Sequence, residues 1–253
     1  MIPNYKNGFE RHNIKWGSAS AINQFIEAPD VFVAQRIFNN SFPFGSMPKR
    51  GQAVESGVVH VLANGVSVEE GTKRAINQFN RETFLTKDDK RESERENITP
   101  MIEIALAALK SYGEIDVPNE GQEKITMICK TEKWSLPIIG YLDFRFPRVK
   151  KIVDLKTTLR MPTIMSLSHQ RQRAIYAKAT GDDVEFLYVT PKKSEFKDDG
   201  NVDEIVADIK THLIRMEKLL SLDEKTLREI VPVNPDSFYW RDADDIRRNL
   251  FNL

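Results

Sequence analysis

Ile152-Val-Asp-Leu-Lys-Thr-Thr158 decides how the rest of the chain is read. The stretch is short, apolar and β-branched, which is the composition of a strand. Side chains of a strand alternate between its two faces. Val153, Leu155 and Thr157 therefore share one face, and Ile152, Asp154 and Lys156 share the other. A core-type strand with a carboxylate and an ammonium on one face needs a reason, because burying charge is costly unless it is partnered.

The strand upstream has the same peculiarity. In Gly140-Tyr-Leu-Asp-Phe-Arg-Phe146, alternation puts Leu142, Phe144 and Phe146 on one face and Tyr141, Asp143 and Arg145 on the other. Only the short turn Pro147–Lys151 joins the two strands, so they are expected to pair as a hairpin with Asp143 beside Asp154. Two adjacent carboxylates repel, and one protonates unless a cation lies between them. A divalent metal is the natural cation: Mg²⁺ takes one or two carboxylates and fills its other positions with water and substrate phosphate. Lys156 points the same way and can hold an attacking water or offset charge on a phosphate. A plain Lys–Asp ion pair on a half-exposed strand is the competing reading.

Working outward, the flanks divide into a helical first half and a mixed second half. Helices are expected over Ser18–Glu27, Asp30–Phe38, Arg50–Ala63, the segment around Ser67–Phe84, and Thr99–Tyr112, with residues 39–48 as a loop. Glu123–Lys130 reads as a further strand, and Ser166–Thr180 as a helix ended by Gly181. Val184–Lys192 reads as another strand, and Asp203–Leu222 as a long amphipathic helix. The tail is expected to be helical and to pack through Phe238, Tyr239 and Trp240. The expected architecture is a single α/β domain. A helical part, 18–115, precedes a small mixed central sheet, 120–192, with helices after 200.

Composition limits the function classes. Thirty-seven basic residues balance thirty-seven acidic ones, which argues against a protein that coats nucleic acid through bulk charge. The balance is local, however. Residues 145–193 hold eleven Lys and Arg against four Asp and Glu. One cysteine, Cys129, rules out an intramolecular disulfide and a multi-cysteine cluster. No apolar run approaches the ~20 residues of a membrane span, and the first residues lack the features of a leader. A cytoplasmic protein without a membrane partner is the expectation.

Gly-Tyr-Leu-Asp-Phe followed by Ile-Val-Asp-Leu-Lys resembles the core of the PD-(D/E)XK nuclease superfamily, in particular RecB-type and phage lambda-type exonuclease domains. Asp154 stands at the second acidic position, and no proline precedes Asp143. RecB-type domains also carry Gln-x-x-x-Tyr on the helix after the lysine strand, matched here by Gln172 and Tyr176. His169 and Arg173 lie on that helix face. The Ser18–Arg36 stretch resembles the opening of RecB-type and CRISPR-adaptation nucleases, with Ala28 where a cluster-ligating cysteine often stands, so no iron–sulfur cluster is implied.

The resemblance implies a restriction-endonuclease-like fold and hydrolysis of DNA with Mg²⁺ or Mn²⁺. Asp143, Asp154 and a further carboxylate would hold metal with the Leu155 carbonyl, and Lys156 would position water. Gln172 and Tyr176 would support the site, and His169, Arg173 and Arg160 would face DNA. The family places its third ligand on a helix after an Arg-Gly pair, here Arg50-Gly51, which offers Glu55 and His60. At 100° per residue, Val54, Val58, Val61 and Leu62 form an apolar stripe with Glu55 at its edge and His60 nearly opposite. Glu55 is therefore the favoured ligand and His60 the lesser one. An exonuclease is favoured. A structure-specific or restriction-type endonuclease and a non-catalytic DNA-binding module are the alternatives, and a homo-oligomer or a recombination partner protein stays open.

Overall fold

The computed structural model describes residues 5–42, 45–116, 122–241 and 243–252, apart from the side chain of Phe238. The loop expected at 39–48, the start of the expected sheet core at 120 and the packing expected of Phe238 therefore fall partly outside the described residues.

The first half is helical apart from one short strand. Its elements are α1 (Gly8–Arg11), β1 (Gly17–Ser18), α2 (Ala19–Glu27), α3 (Pro29–Arg36), α4 (Ser46–Asn64), α5 (Val68–Glu82), α6 (Arg91–Glu96) and α7 (Ile98–Leu109). Local chemistry sets their ends. Ser18 and Ser67 cap α2 and α5 by accepting the N–H groups of Ala21 and Glu70. Pro29 opens α3, and Gly65 closes α4 at φ 63°. The helix α4 begins four residues earlier than its apolar pattern suggests, because Pro48 falls in its first turn, where a missing N–H costs nothing.

The second half carries β2 (Glu123–Lys130), β3 (Ser135–Leu142), β4 (Phe144–Phe146), β5 (Lys151–Thr157), α8 (Leu167–Thr180), β6 (Asp183–Val189), β7 (Ser194–Lys197), α9 (Val202–Leu220), α10 (Glu224–Ile230) and α11 (Asp244–Phe251). Ser166 caps α8 and Gly181 ends it at φ 76°. The fold is mixed α/β.

One expectation needs correction: two small sheets stand where one central sheet was expected. The first has the order β1-β3-β2, with β1 parallel to β3 through Gly17–Ile138 and Ser18–Ile139. The second has the order β4-β5-β6-β7, with β5 parallel to β6 and the two outer pairings antiparallel. The strand expected through Gly140–Phe146 is broken at Asp143. Its carboxylate takes the Leu155 N–H at 2.9 Å, so a side chain replaces main chain as the acceptor. Leu142 consequently enters the core of the first sheet, while Phe144 and Phe146 enter another core. Alternation alone put all three on one face.

The second sheet is covered on both sides. Ile152, Val184, Phe186 and Tyr188 join the core shared with the first sheet, α2, α8 and α9. Val153, Leu155, Leu187 and Val189 join the core built by α4, α5 and α7. Burial on both faces explains why β6 reads as a nearly continuous apolar run from Val184 to Val189, broken only by Glu185. Each such aliphatic side chain contributes about 1.5–3 kcal/mol. In the tail, Trp240 is fully buried and donates its indole N–H to Asp30 at 2.7 Å. Among the described residues no helix is long and apolar enough to cross a membrane.

Candidate active site

The hairpin between β4 and β5 forms in the register Phe144–Val153, Arg145–Ile152 and Phe146–Lys151. Continuing that register brings Asp143 opposite Asp154. Asp154 is 1% exposed, which makes it the most deeply buried carboxylate of the group. Its Oδ1 meets the Lys156 ammonium in an ion pair. Its Oδ2 accepts from Gln172 Nε2 at 2.8 Å.

Glu55 arrives from α4, about ninety residues upstream. Arg50, 1% exposed, fixes that helix. Its guanidinium pairs with buried Glu94 and donates to the carbonyl and hydroxyl oxygens of Thr157 at 3.2 and 3.3 Å. Gly51 permits the approach, since a Cβ there would lie 3.3 Å from Thr157 Oγ1. The N-terminal half of α4 is thus clamped to the end of β5, and Glu55 follows one turn later. Gln122, just before β2, bridges the acids: its side-chain amide donates to Glu55 Oε1 at 2.6 Å and to Asp143 Oδ1 at 3.0 Å.

The electrostatics show how closely these groups are gathered. Burial, and then the Asp154 charge, push Glu55 up to about 7. Burial, Asp154 and Glu55 together hold Asp143 well above the usual carboxylate range. Burial raises Asp154 too, against the opposing pull of Lys156. Burial also acts to lower Lys156, but the charges of Asp154 and Asp143 outweigh it and keep the ammonium protonated.

The helix α8 supplies the support. Gln172 Nε2 also donates to Tyr176 Oη at 2.9 Å, and Tyr176 Oη donates to the Tyr141 carbonyl at 2.9 Å. The tyrosine ring packs over Gly140, where a Cβ would lie 2.5 Å from Cε1. Glycine at that position is therefore a condition of the contact.

The remaining candidates separate. His169 is half-buried, and its Nδ1 lies 2.5 Å from Tyr188 Oη. Burial, and then the Lys156 charge, lower it to about 4. Arg173 is buried and donates to the carbonyls of Val184 at 2.7 Å and Gly200 at 3.2 Å. That corrects its expected place in a DNA groove: the guanidinium is committed to main chain. Arg160 is exposed beyond β5. His60 is half-buried rather than fully exposed, contacts Asn64 Nδ2 at 2.9 Å, and lines a groove with Glu69, Glu70, Lys73 and Arg74 of α5 that includes none of Glu55, Asp143 and Asp154.

The structure thus brings together Glu55, Asp143, Asp154, Lys156, Gln172 and Tyr176. Sequence reasoning missed Gln122 and Tyr188. Neither sits in a spacing that singles it out, since their partners are 67 and 19 residues away.

Among the described residues, no three His, Cys, Asp or Glu side chains already form a metal-binding group. Each carboxylate is turned towards a protein donor instead: Glu55 to Gln122, Asp143 to Gln122 and the Leu155 N–H, and Asp154 to Lys156 and Gln172. The donor set nevertheless fits a hard divalent cation. It offers three carboxylates that repel one another, all oxygen donors of the kind such a cation takes.

No family model matches the chain, and no curated protein matches it. Among solved structures it is similar to one described as the crystal structure of SSO0001, at 8% identity and a TM-score of 0.37 over 78% of this chain and 83% of that one. Likeness at that level carries no argument about fold or function.

Proposed function

We propose that the protein is a metal-dependent deoxyribonuclease of the PD-(D/E)XK type, acting as an exonuclease on DNA ends. The observation that carries this reading is the convergence of Glu55, Asp143, Asp154 and Lys156 from α4, the β3–β4 break and β5. Crowded acids whose charges raise one another's pKa values gain little for a fold and much for a cation site. On this reading β4–β6 and α8 form a restriction-endonuclease-like core.

Glu55, Asp143 and Asp154 would hold Mg²⁺ or Mn²⁺, with the Leu155 carbonyl beside them. When bound, the cation supplies an acidified water and offsets charge on the phosphate. Lys156, whose ammonium lies on Asp154, would orient the nucleophile and donate to phosphate oxygen. Gln172 fixes Asp154, and Tyr176 holds β3 so that Asp143 keeps its place. Arg160 is the exposed cation beyond β5 and would meet backbone phosphate.

The test uses end-labelled linear DNA and covalently closed circular DNA, each with Mg²⁺ and with EDTA. Metal-dependent shortening of the linear substrate alone is expected. Cutting of the closed circle would make the protein an endonuclease, and absence of any hydrolysis would leave a DNA-binding module.

A further inference from the structure

A second pocket lies at the opposite end of β3 from the acids. Leu136 is in its wall and Asp143 is seven residues on, roughly 20 Å away at a strand's rise per residue. The pocket, of about 490 Å³, opens between the loop after α1, β1, the two helices α2 and α3, and α9. That volume falls in the range of small-molecule sites, ~300–1,000 Å³.

Its chemistry is divided. The floor is apolar, formed by Ile22, Phe32, Leu136, Leu213 and Met216. The mouth carries Lys15, Arg36, His12, three side-chain amides and the Trp16 indole, with no Asp or Glu in the lining. Arg36 and Lys15 have no ion-pair or hydrogen-bond partner among the described residues. Trp16 is 54% exposed, whereas Trp134 and Trp240 are buried. A large exposed indole at the mouth with two unpaired cations, over an apolar floor, suits a flat ring that bears an anionic group. The amides of Asn13, Gln35 and Asn39 suit a ring with hydrogen-bonding edges better than they suit a hydrocarbon chain.

We propose that this pocket binds a nucleoside monophosphate, its base against Trp16 and its phosphate on Lys15 and Arg36. The site is independent of the carboxylate cluster and needs no metal.

The experiment is a calorimetric and Trp-fluorescence titration of the full chain in EDTA, which keeps the carboxylate site out of the measurement. The probes are deoxyadenosine monophosphate, adenosine, inorganic phosphate and benzoate. Saturable binding of the nucleotide with quenching of Trp16 is expected. Adenosine and phosphate should each bind roughly tenfold more weakly, as expected for the loss of one charge-assisted contact or of the ring. Arg36→Glu, an exposed change, should weaken the nucleotide by at least about tenfold and leave adenosine unchanged. Asp154→Asn should bind like the native chain, so failure of nuclease activity and failure of this site are read separately. Absence of saturation, equal binding of benzoate or of phosphate alone, or an unaffected Arg36→Glu variant would each overturn the proposal.

Discussion

Gln172 stands 2.8 Å from Asp154, donating to Oδ2, while the Lys156 ammonium meets Oδ1. The two oxygens of one buried carboxylate are thus assigned to two different partners, one from the next helix and one from the same strand. An amide holds geometry without neutralising charge, so Gln172 keeps Asp154 oriented but leaves it available to a cation.

Gln172→Ala removes that donor from a carboxylate that is almost fully buried. Leaving a buried acceptor unsatisfied costs about 1–3 kcal/mol, which a urea titration would read. Mg²⁺ affinity should fall by roughly 10–100-fold, the usual effect of removing a group that orients a metal ligand. Unchanged metal affinity would reduce Gln172 to a packing residue.

Lys156→Ala should abolish DNA hydrolysis while leaving DNA binding nearly intact, since one lysine is a small share of a phosphate-binding surface. Mg²⁺ affinity should rise, because Asp154 loses the protein cation that competes for it. Near-native turnover in the variant would reduce Lys156 to a structural ion-pair partner.

Glu55→Gln keeps size and removes one of three repelling charges. Folding holds Glu55 at about 7 against an ordinary value of 4.5, so the folded chain binds its proton more tightly than the unfolded one. The associated stability is fully present below 4.5 and is lost as pH rises through about 7. In EDTA the variant should match the native chain in stability at acid pH and exceed it at alkaline pH, and with Mg²⁺ its activity should be reduced by orders of magnitude. His60→Ala should change stability by no more than ~0.5 kcal/mol, as expected away from core and site. A silent Glu55 variant and a dead His60 variant would reverse the ligand assignment.

His169 gives the opposite pH dependence. Its pKa is lowered from 6.5 to about 4, so the folded chain binds this proton less tightly than the unfolded one. Stability from this group is fully present above 6.5 and declines as pH falls towards 4. His169→Gln should flatten thermal stability over that interval. A slope equal to that of the native chain would assign the acid loss to other groups.

Gly140→Ala sets a methyl group against the Tyr176 ring, whose packing on β3 leaves no space for it. Overpacking of this kind costs about 1–3 kcal/mol. Gly140→Ala combined with Tyr176→Leu should recover part of that loss. Absence of coupling in the double variant would mean that the ring does not set the spacing between α8 and β3.

Much of the site's local phase was legible in the residues themselves. Asp154 and Lys156 share a strand face because the strand period is two, and Gln172 and Tyr176 share a helix face because they are four apart. Both relations are local, so no knowledge of packing was needed. The same holds for the break-and-return between Phe144 and Lys151, where a short connection leaves a hairpin as the simplest path.

Tertiary structure decided what those faces meet. Periodicity placed Glu55 at the edge of an apolar stripe, but only the clamp of Arg50 on Thr157 turns that edge towards Asp143 and Asp154. Helix phase put Arg173 beside Gln172, yet the carbonyls of Val184 and Gly200 take up its guanidinium. Alternation drew one strand through Asp143, and the Leu155 N–H split it between two sheets. The physical reason is the same in each case. Side-chain direction along one element follows from backbone geometry a few residues long, whereas a donor or acceptor is satisfied by whatever the fold brings within about 3 Å, from any distance along the chain.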